Sequence, residues 1–248
     1  MRKKTVSITI PVYNEEEELE KHINKLIQYC QNALSSYEVT ITIADNASID
    51  RTPEIGKALS QKYPTVAYVR FPEKGRGRAV KATWITSASD FVAYMDVDLS
   101  TDLKHLRSVI HALENGYDVA IGSRLLSKSN VIDRSIKREI ISRSYNLIIK
   151  LLFQTKFSDA QCGFKAIRRE AVETLILLVV DNEWFMDSEL LILAEKTGYR
   201  IYEEPVVWRD NPGSTVRVLP TAMGDLQGLL RLFICRPWRS IRKNKQMV

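Results

Sequence analysis

Cysteine is scarce in this chain: three in 248 residues, at Cys30, Cys162 and Cys235. Such wide spacing forms neither a metal-ligand pattern nor a disulfide framework, so a reducing cytoplasm is the expected setting. Long apolar runs are missing as well. The longest covers residues 175–180, far below the ~20 residues that a membrane-spanning helix needs. Met1-Arg-Lys-Lys-Thr5 leads straight into a strand-like segment, and no signal peptide is expected. There is no internal repeat and no low-complexity linker. Acidic residues are absent after Asp225, whereas six basic ones follow it: Arg231, Arg236, Arg239, Arg242, Lys243 and Lys245. The excess of 36 basic over 30 acidic residues, +6, therefore lies entirely in the tail, and residues 1–225 are formally neutral. A neutral body argues against a nucleic-acid partner, while a basic tail suits an anionic membrane.

What is present is organised around Phe91-Val-Ala-Tyr-Met-Asp-Val-Asp-Leu-Ser100. Uncharged β-branched and aromatic residues without helical spacing read as a buried strand. It ends in Asp96-Val97-Asp98. In an extended chain, positions i and i+2 point the same way, so both carboxylates face one place. Like charges held that close repel unless a cation lies between them or one is protonated. Hard oxygen ligands of this kind suit Mg²⁺ or Mn²⁺. The plainer reading is a pair of turn aspartates, one of them capping the next helix. Taken alone, the stretch leaves both open.

Along the chain, strands are expected at 6–12, 39–44, 66–69, 91–95 and 118–121. Helices alternate with them: one to about Ser35, one opening at Pro53, one through Ser87 and one over 103–115. This alternation predicts an α/β domain with a mainly parallel sheet, whose ligands gather beyond the carboxyl ends of the strands. Polar clusters follow those ends at residues 13–15, 45–50, 74–78 and 96–98. After Gly122 the pattern changes. A polar loop to Asp133 precedes a helix over 136–153, basic early (Lys137, Arg138, Arg143) and apolar later. A short strand, a helix from about Glu170, a helix to Lys196, a strand over 201–208 and a loop over 209–215 follow. Leu226, Leu229, Leu230, Phe233 and Ile234 then recur at helical spacing beside Arg231, Arg236, Arg239 and Trp238. Such a basic amphipathic helix either lies in a membrane interface with Trp238 as an anchor or packs on the domain. Residues 1–220 are expected to be the catalytic domain, and 221–248 a membrane-interface appendage.

Six motifs stand in order: Ile10-Pro-Val-Tyr-Asn-Glu-Glu16, Asp45-Asn-Ala-Ser-Ile-Asp50, Lys74-Gly75, Asp96-Val-Asp98, Gly122-Ser-Arg124 and Asp159-Ala-Gln-Cys-Gly-Phe164. Together, over about residues 5–230, they resemble a family 2 glycosyltransferase of the GT-A fold. Within that family the chain is similar to the polyprenyl-phosphate hexose synthases, the dolichyl-phosphate glucose and mannose synthases and their bacterial relatives. The resemblance implies an inverting, metal-dependent hexosyltransferase. Its donor would be a nucleotide sugar, with UDP-glucose favoured and GDP-mannose the alternative. Its acceptor would be a polyprenyl (dolichyl or undecaprenyl) phosphate, the other possibility being a polysaccharide or protein acceptor.

By position, Pro11, Tyr13, Glu15 and Asp45 would hold base and ribose, Lys74 would touch the donor, and Asp96 and Asp98 would hold Mg²⁺ or Mn²⁺ on the diphosphate. Relatives often continue the aspartate motif with Leu-Gln; Leu99-Ser100 here departs from that and leaves a third side-chain ligand open. Arg124 and Arg138 match acceptor-phosphate arginines, and Ser214 and Arg217 match a loop that closes on the diphosphate. Asp159 stands, with Asp98, among the catalytic positions. A phosphate monoester is mostly ionised at pH 7, its second pKa being about 6. Asp159 therefore either acts as the family's base or orients the acceptor and balances the arginines. Many relatives carry membrane spans. This chain is expected to be peripheral on the cytoplasmic face, held by its own tail, a separate membrane-anchor partner or self-association.

Several residues have plainer readings. Glu16 suits the first turn of a helix, and Asp50 suits either a cap or a ligand. Arg76 and Arg78 are either solvated or functional, and Asp187 and Glu189 either face the site or cap a helix. Cys162 reads as a small buried residue, and Trp184, Phe185 and Trp208 as core or pocket wall. His22, His105 and His111 are given no role.

Overall fold

The computed structural model describes residues 2–210 and 218–239, without the side chains of Val218 and Leu219. Strands are β1 (Thr5–Val12), β2 (Glu38–Asn46), β3 (Val66–Phe71), β4 (Phe91–Met95), β5 (Val119–Ser123), β6 (Asn130–Ile132), β7 (Phe164–Arg168), β8 (Ile201–Pro205) and β9 (Val207–Arg209). Helices are α1 (Leu19–Ala33), α2 (Thr52–Lys62), α3 (Arg76–Thr86), α4 (Lys104–Glu114), α5 (Ile136–Phe153), α6 (Arg169–Leu175), α7 (Met186–Lys196) and α8 (Val218–Cys235). One seven-stranded sheet has the order β3-β2-β1-β4-β7-β5-β8. Its strands are parallel except β7, which runs against both β4 and β5.

The central strands β1, β4, β7 and β5 are buried on both faces, which is why they read as nearly continuous apolar runs. Strand β4 shows the division. Phe91, Ala93 and Met95 enter a core with α1 and α4, whereas Val92 and Tyr94 enter a second core with α3, α5, α6, α7 and α8. Register then sets the working end. Val12 pairs with Asp45 across β1 and β2, and β4 lies on the other side of β1. The chain therefore leaves β1 at Tyr13, β2 at Ala47 and β4 at Asp96 along one edge.

Two elements differ from expectation. Residues 130–132 form β6 rather than loop, and the strand expected over 201–208 is two strands in two sheets, because β9 pairs with β6. The ladder of β8 on β5 ends at Pro205, which has no N–H to donate onward. The boundary expected at 220/221 falls inside α8. This helix packs on the domain: Leu229 and Leu232 are buried, and a Cβ on Gly228 would stand 2.2 Å from Phe185 Cδ1. Trp238, expected as an interfacial anchor, is buried and meets Phe153 edge-on at 6.1 Å. The opposite side of α8 leaves Leu226, Leu230 and Ile234 exposed, and α5 exposes Ile136, Ile140, Leu147 and Leu151. Among the described residues no helix is long and apolar enough to cross a membrane. Ser214 and Arg217 lie outside the described residues.

Candidate active site

The first wall is the end of β2. Asp45 is fully buried and accepts from Ser48 N at 2.9 Å and Tyr68 Oη at 2.6 Å. Arg70 Nε approaches it at 3.8 Å. Pro11 is buried at the end of β1, and Lys74 Nζ lies 3.9 Å above the Tyr13 ring. Glu15 donates its backbone N–H to Thr52 Oγ1 at 2.7 Å. Its carboxyl is pushed up to about 7 by burial and then by the negative charge of Asp98, Asp50, Glu18 and Asp96. Asp50 caps α2, accepting from Thr52 N at 3.0 Å, and Glu16 accepts from Arg51 N at 3.0 Å. Those two are structural, with Glu16 serving α2 rather than its own helix. Asn14, Ala47 and Leu99 hold left-handed backbone at φ 55°, 62° and 50°. Each costs on the order of 1–3 kcal/mol, and such strain concentrates at functional edges.

The floor is Asp96 and Asp98. Ser100 donates to Asp98 twice, from N to Oδ1 at 3.0 Å and from Oγ to Oδ2 at 2.6 Å. The serine at the departure from Leu-Gln therefore orients the second aspartate. Asp96 is backed by Gly163, where a Cβ would stand 1.7 Å from Asp96 Oδ2. The glycine of the Gln-Cys-Gly-Phe motif is thus required by the carboxylate lying on it. Burial pushes Asp96 up, Arg76 pulls it down and Asp98 adds to the rise.

Arg76 is the residue that sequence reasoning left undecided and the fold makes central. Its guanidinium spans two carboxylates, giving Nη2 to Asp96 Oδ1 at 2.8 Å and Nη1 to Asp187 Oδ2 at 2.7 Å. It stacks on Tyr94 at 4.8 Å and on Trp184 at 4.9 Å. Asp187 is buried and also takes Tyr94 Oη and, at 2.9 Å, Lys165 Nζ. Burial works against its charge, but Lys165 and Arg76 outweigh it and hold the carboxyl below its usual value. Asp96, Arg76, Asp187 and Lys165 thus form a neutral row, buried at Arg76, Asp187 and Lys165 and partly exposed at Asp96, and loss of one of the buried members costs about 3–5 kcal/mol. The signals were faint but present: a lysine inside the buried strand Phe164-Lys-Ala-Ile167, and an aspartate before Leu190-Leu-Ile-Leu193.

On the far side, Arg124 and Asp159 form a closed pair. Arg124 donates from Nε to Oδ2 at 2.8 Å, from Nη2 to Oδ1 at 2.9 Å and from its backbone N to Oδ2 at 3.0 Å. Asp159 is fully buried; despite that burial, Arg124 holds its carboxyl down to about 2. The guanidinium stacks 5.1 Å over Trp208, which makes that residue pocket wall. Arg138 sits farther out, paired with Asp210 at 2.7 Å. Cys162 is buried and its thiol is pushed up to about 12 by burial, so it is no nucleophile.

Comparison with known proteins agrees with this layout. The glycosyl transferase family 2 model matches residues 7–176. Glycosyltransferase AglD of Haloferax volcanii is 33% identical over 228 residues, covering 91% of this chain and 36% of that protein. The dolichyl-phosphate beta-glucosyltransferase ALG5A of Trichomonas vaginalis is 26% identical over 224 residues, 86% of this chain and 68% of that one. The dolichol-phosphate mannosyltransferase of Pyrococcus furiosus is 34% identical over 170 residues, 68% of this chain and 47% of that one. The chain thus spans about a third of the Haloferax protein and about half of the Pyrococcus protein. Among solved structures, glucosyl-3-phosphoglycerate synthase from Mycobacterium tuberculosis with UDP superposes at TM-score 0.67 and 17% identity, over 94% of this chain and 80% of that one. That likeness establishes the fold, and the family model establishes the lineage: the chain belongs to glycosyltransferase family 2, on the α/β GT-A fold.

Proposed function

We propose that the chain transfers a hexose from a nucleotide sugar to a polyprenyl phosphate at a membrane surface, with inversion. The carrying observation is the adjacency of three features. A carboxylate-rich end short of positive charge meets an arginine-lined groove, and that groove runs onto the exposed apolar face of α5. The glucosyl- and mannosyltransferase relatives named for dolichyl phosphate support the acceptor. UDP-glucose is the favoured donor.

On this reading Asp45 and Glu15 receive base and ribose, and Lys74 reaches the donor phosphates. Asp96, Asp98 and Glu15 crowd negative charge that Arg76 only partly offsets, so the residues present fit a divalent cation. No cluster of three His, Cys, Asp or Glu side chains forms a metal site among the described residues. The two aspartates would share Mg²⁺ or Mn²⁺ with the diphosphate and water, the usual habit of hard cations on phosphates. When bound, the ion supplies Lewis-acid neutralisation of charge on the departing diphosphate. The acceptor oxygen is already ionised, and Asp159, both of whose oxygens are engaged, takes no proton. It fixes Arg124 beside the acceptor. The exposed leucines and isoleucines of α5 and α8 rest on the cytoplasmic leaflet.

The test supplies polyprenyl phosphate in detergent or vesicles with labelled UDP-glucose and GDP-mannose in parallel, with and without Mn²⁺ or Mg²⁺. Metal-dependent label in the organic phase from one donor fixes reaction and donor together. Nucleotide binding without lipid product from either donor rejects the lipid acceptor and leaves a polysaccharide or protein end.

A further inference from the structure

Beyond the Arg124–Asp159 pair the structure contains a groove of about 590 Å³. It is lined by Arg124, Ser127, Ser129, Arg134, Ile136 and Arg143, with Glu139 on the same wall. Charge is not balanced along it. Arg124 is closed on Asp159, and Arg138 is closed on Asp210 and is 38% exposed. Arg134 and Arg143 share a single carboxylate: Glu139 Oε1 takes Arg143 Nε at 2.6 Å, and Oε2 lies 3.1 Å from Arg134 Nη1. Among these described side chains one positive charge therefore remains over. Arg143 is 60% exposed and solvated, whereas Arg134 is 9% exposed.

The buried guanidinium is poorly satisfied among the described residues. Its Nη1 has no hydrogen bond of good geometry, the Glu139 contact being an ion pair only, and its Nη2 reaches Arg138 O at a long 3.4 Å. A guanidinium has five N–H donors, and burying them unused is costly. Burial and the neighbouring Arg124 charge both weaken its protonated form, so a dianion would be bound where repulsion is relieved. Helix α5 starts at the same wall, its first turn capped by Ser135, and a helix N-terminus favours an anion. Beyond the groove, Ile136 and Ile140 open the exposed apolar stripe of α5.

We propose that Arg134 is the cation that binds the acceptor's phosphomonoester in this groove, with Arg124 steering and Ile136 receiving the start of the lipid. The proposal rests on the reading of the acceptor as a phosphate, and it adds to Arg124 and Arg138 a phosphate contact that the motif pattern passed over. Arg134 touches the substrate's charge and not the reacting carbon, so it acts on acceptor affinity.

The test compares R134Q, R134K and E139Q with the wild-type chain. Expected results are a KM for polyprenyl phosphate raised about tenfold or more in R134Q, partial recovery in R134K, and a lowered KM in E139Q, which frees Arg134. The KM for the nucleotide sugar stays unchanged in all three. A KM for the lipid that does not move in R134Q, or a KM for both substrates that moves in step, overturns the proposal. Should R134Q fail to fold, E139Q decides by the direction of its shift. Calorimetric titration with farnesyl phosphate, farnesol and phosphoglyceric acid provides arms that need no turnover. Phosphate-dependent binding of farnesyl phosphate that is lost in R134Q supports the proposal even if no lipid product forms, and equal binding by both proteins rejects it. Phosphoglyceric acid binding as tightly as farnesyl phosphate assigns the same contact to a soluble phosphomonoester.

Discussion

The two halves of the site are electrical opposites. At the end of β4, Asp98 is held locally by Ser100, two residues on, whereas Asp96 lies on Gly163, the distant residue just ahead of β7. Among the described residues, the cation paired with Asp96 is Arg76, which is shared with Asp187. In the groove, Arg124 and Arg138 meet the distant Asp159 and Asp210, while Arg134 and Arg143 share the nearby Glu139, which leaves one positive charge over among the described residues. One end is short of positive charge and the other has it to spare. On the proposed reading that asymmetry separates two anions: the acidic end takes the donor diphosphate with its cation, and the basic groove takes the acceptor phosphate.

Breaking the acidic half has the largest expected effect. D98A lowers metal-dependent turnover by about 10³-fold, measured with labelled nucleotide sugar, while nucleotide binding without metal is retained. Next comes G163A. Its Cβ displaces the Asp96 carboxylate, and misplacement by an ångström costs about 10²-fold, read as activity in a variant whose far-ultraviolet circular dichroism is unchanged.

D159N sharpens the other half. If Asp159 only holds Arg124, the variant raises the KM for the acceptor about tenfold and keeps the shape of the rate profile above pH 5. Loss of an alkaline plateau would instead make Asp159 a base. The same residue has its folded-state carboxyl depressed to about 2. Its stabilising contribution is therefore present above the unfolded value of about 3.9 and is lost as pH falls from there toward 2. Acid melts of D159N should be flatter than wild type over that window.

A smaller effect belongs to the apolar face. L230S with I234S should weaken vesicle binding about tenfold or more by flotation, since each buried side chain is worth about 1.5–3 kcal/mol. Transfer to a short, soluble prenyl phosphate should be unchanged. The smallest concerns Asp225, pushed up to about 6 by burial on the inner side of α8. A raised carboxyl binds its proton more tightly in the fold, so stability falls as pH rises from about 3.9 to 6. D225N, which can keep the Gln161 contact, should raise the melting temperature by about 2–4 °C at pH 7.5 and change little below pH 4.

Much of this was legible because it is local. Alternation of buried strands with amphipathic helices marks the parallel sheet, and motifs at strand ends mark its working edge. Asp96 and Asp98 could be named from the end of β4, whereas Asp45 and Arg124 were named from motifs that carry the family resemblance. Arg76, Asp187 and Lys165 were less readable because they pair across distant parts of the chain, and Arg134 because its burial, and the sharing of nearby Glu139 with Arg143, are set by the fold. Arg76 and Asp187 are separated by 111 positions, and no periodicity reports a contact of that kind. Strand β6 was missed because its partner, β9, lies beyond the turn at Pro205.

The sequence by itself determined the α/β class, the order of the strands that carry the motifs, the spacing that sets Asp96 and Asp98 on one side, and the basic tail. Those follow from backbone periodicity and from neighbours a few residues apart. Only the tertiary structure decided which charges are neutralised. Pairing Arg124 with Asp159, spanning Asp96 and Asp187 with Arg76 and turning Trp238 inward all depend on the crossing of distant segments. The energy of a buried charge is set by what the fold brings beside it and how far it excludes water.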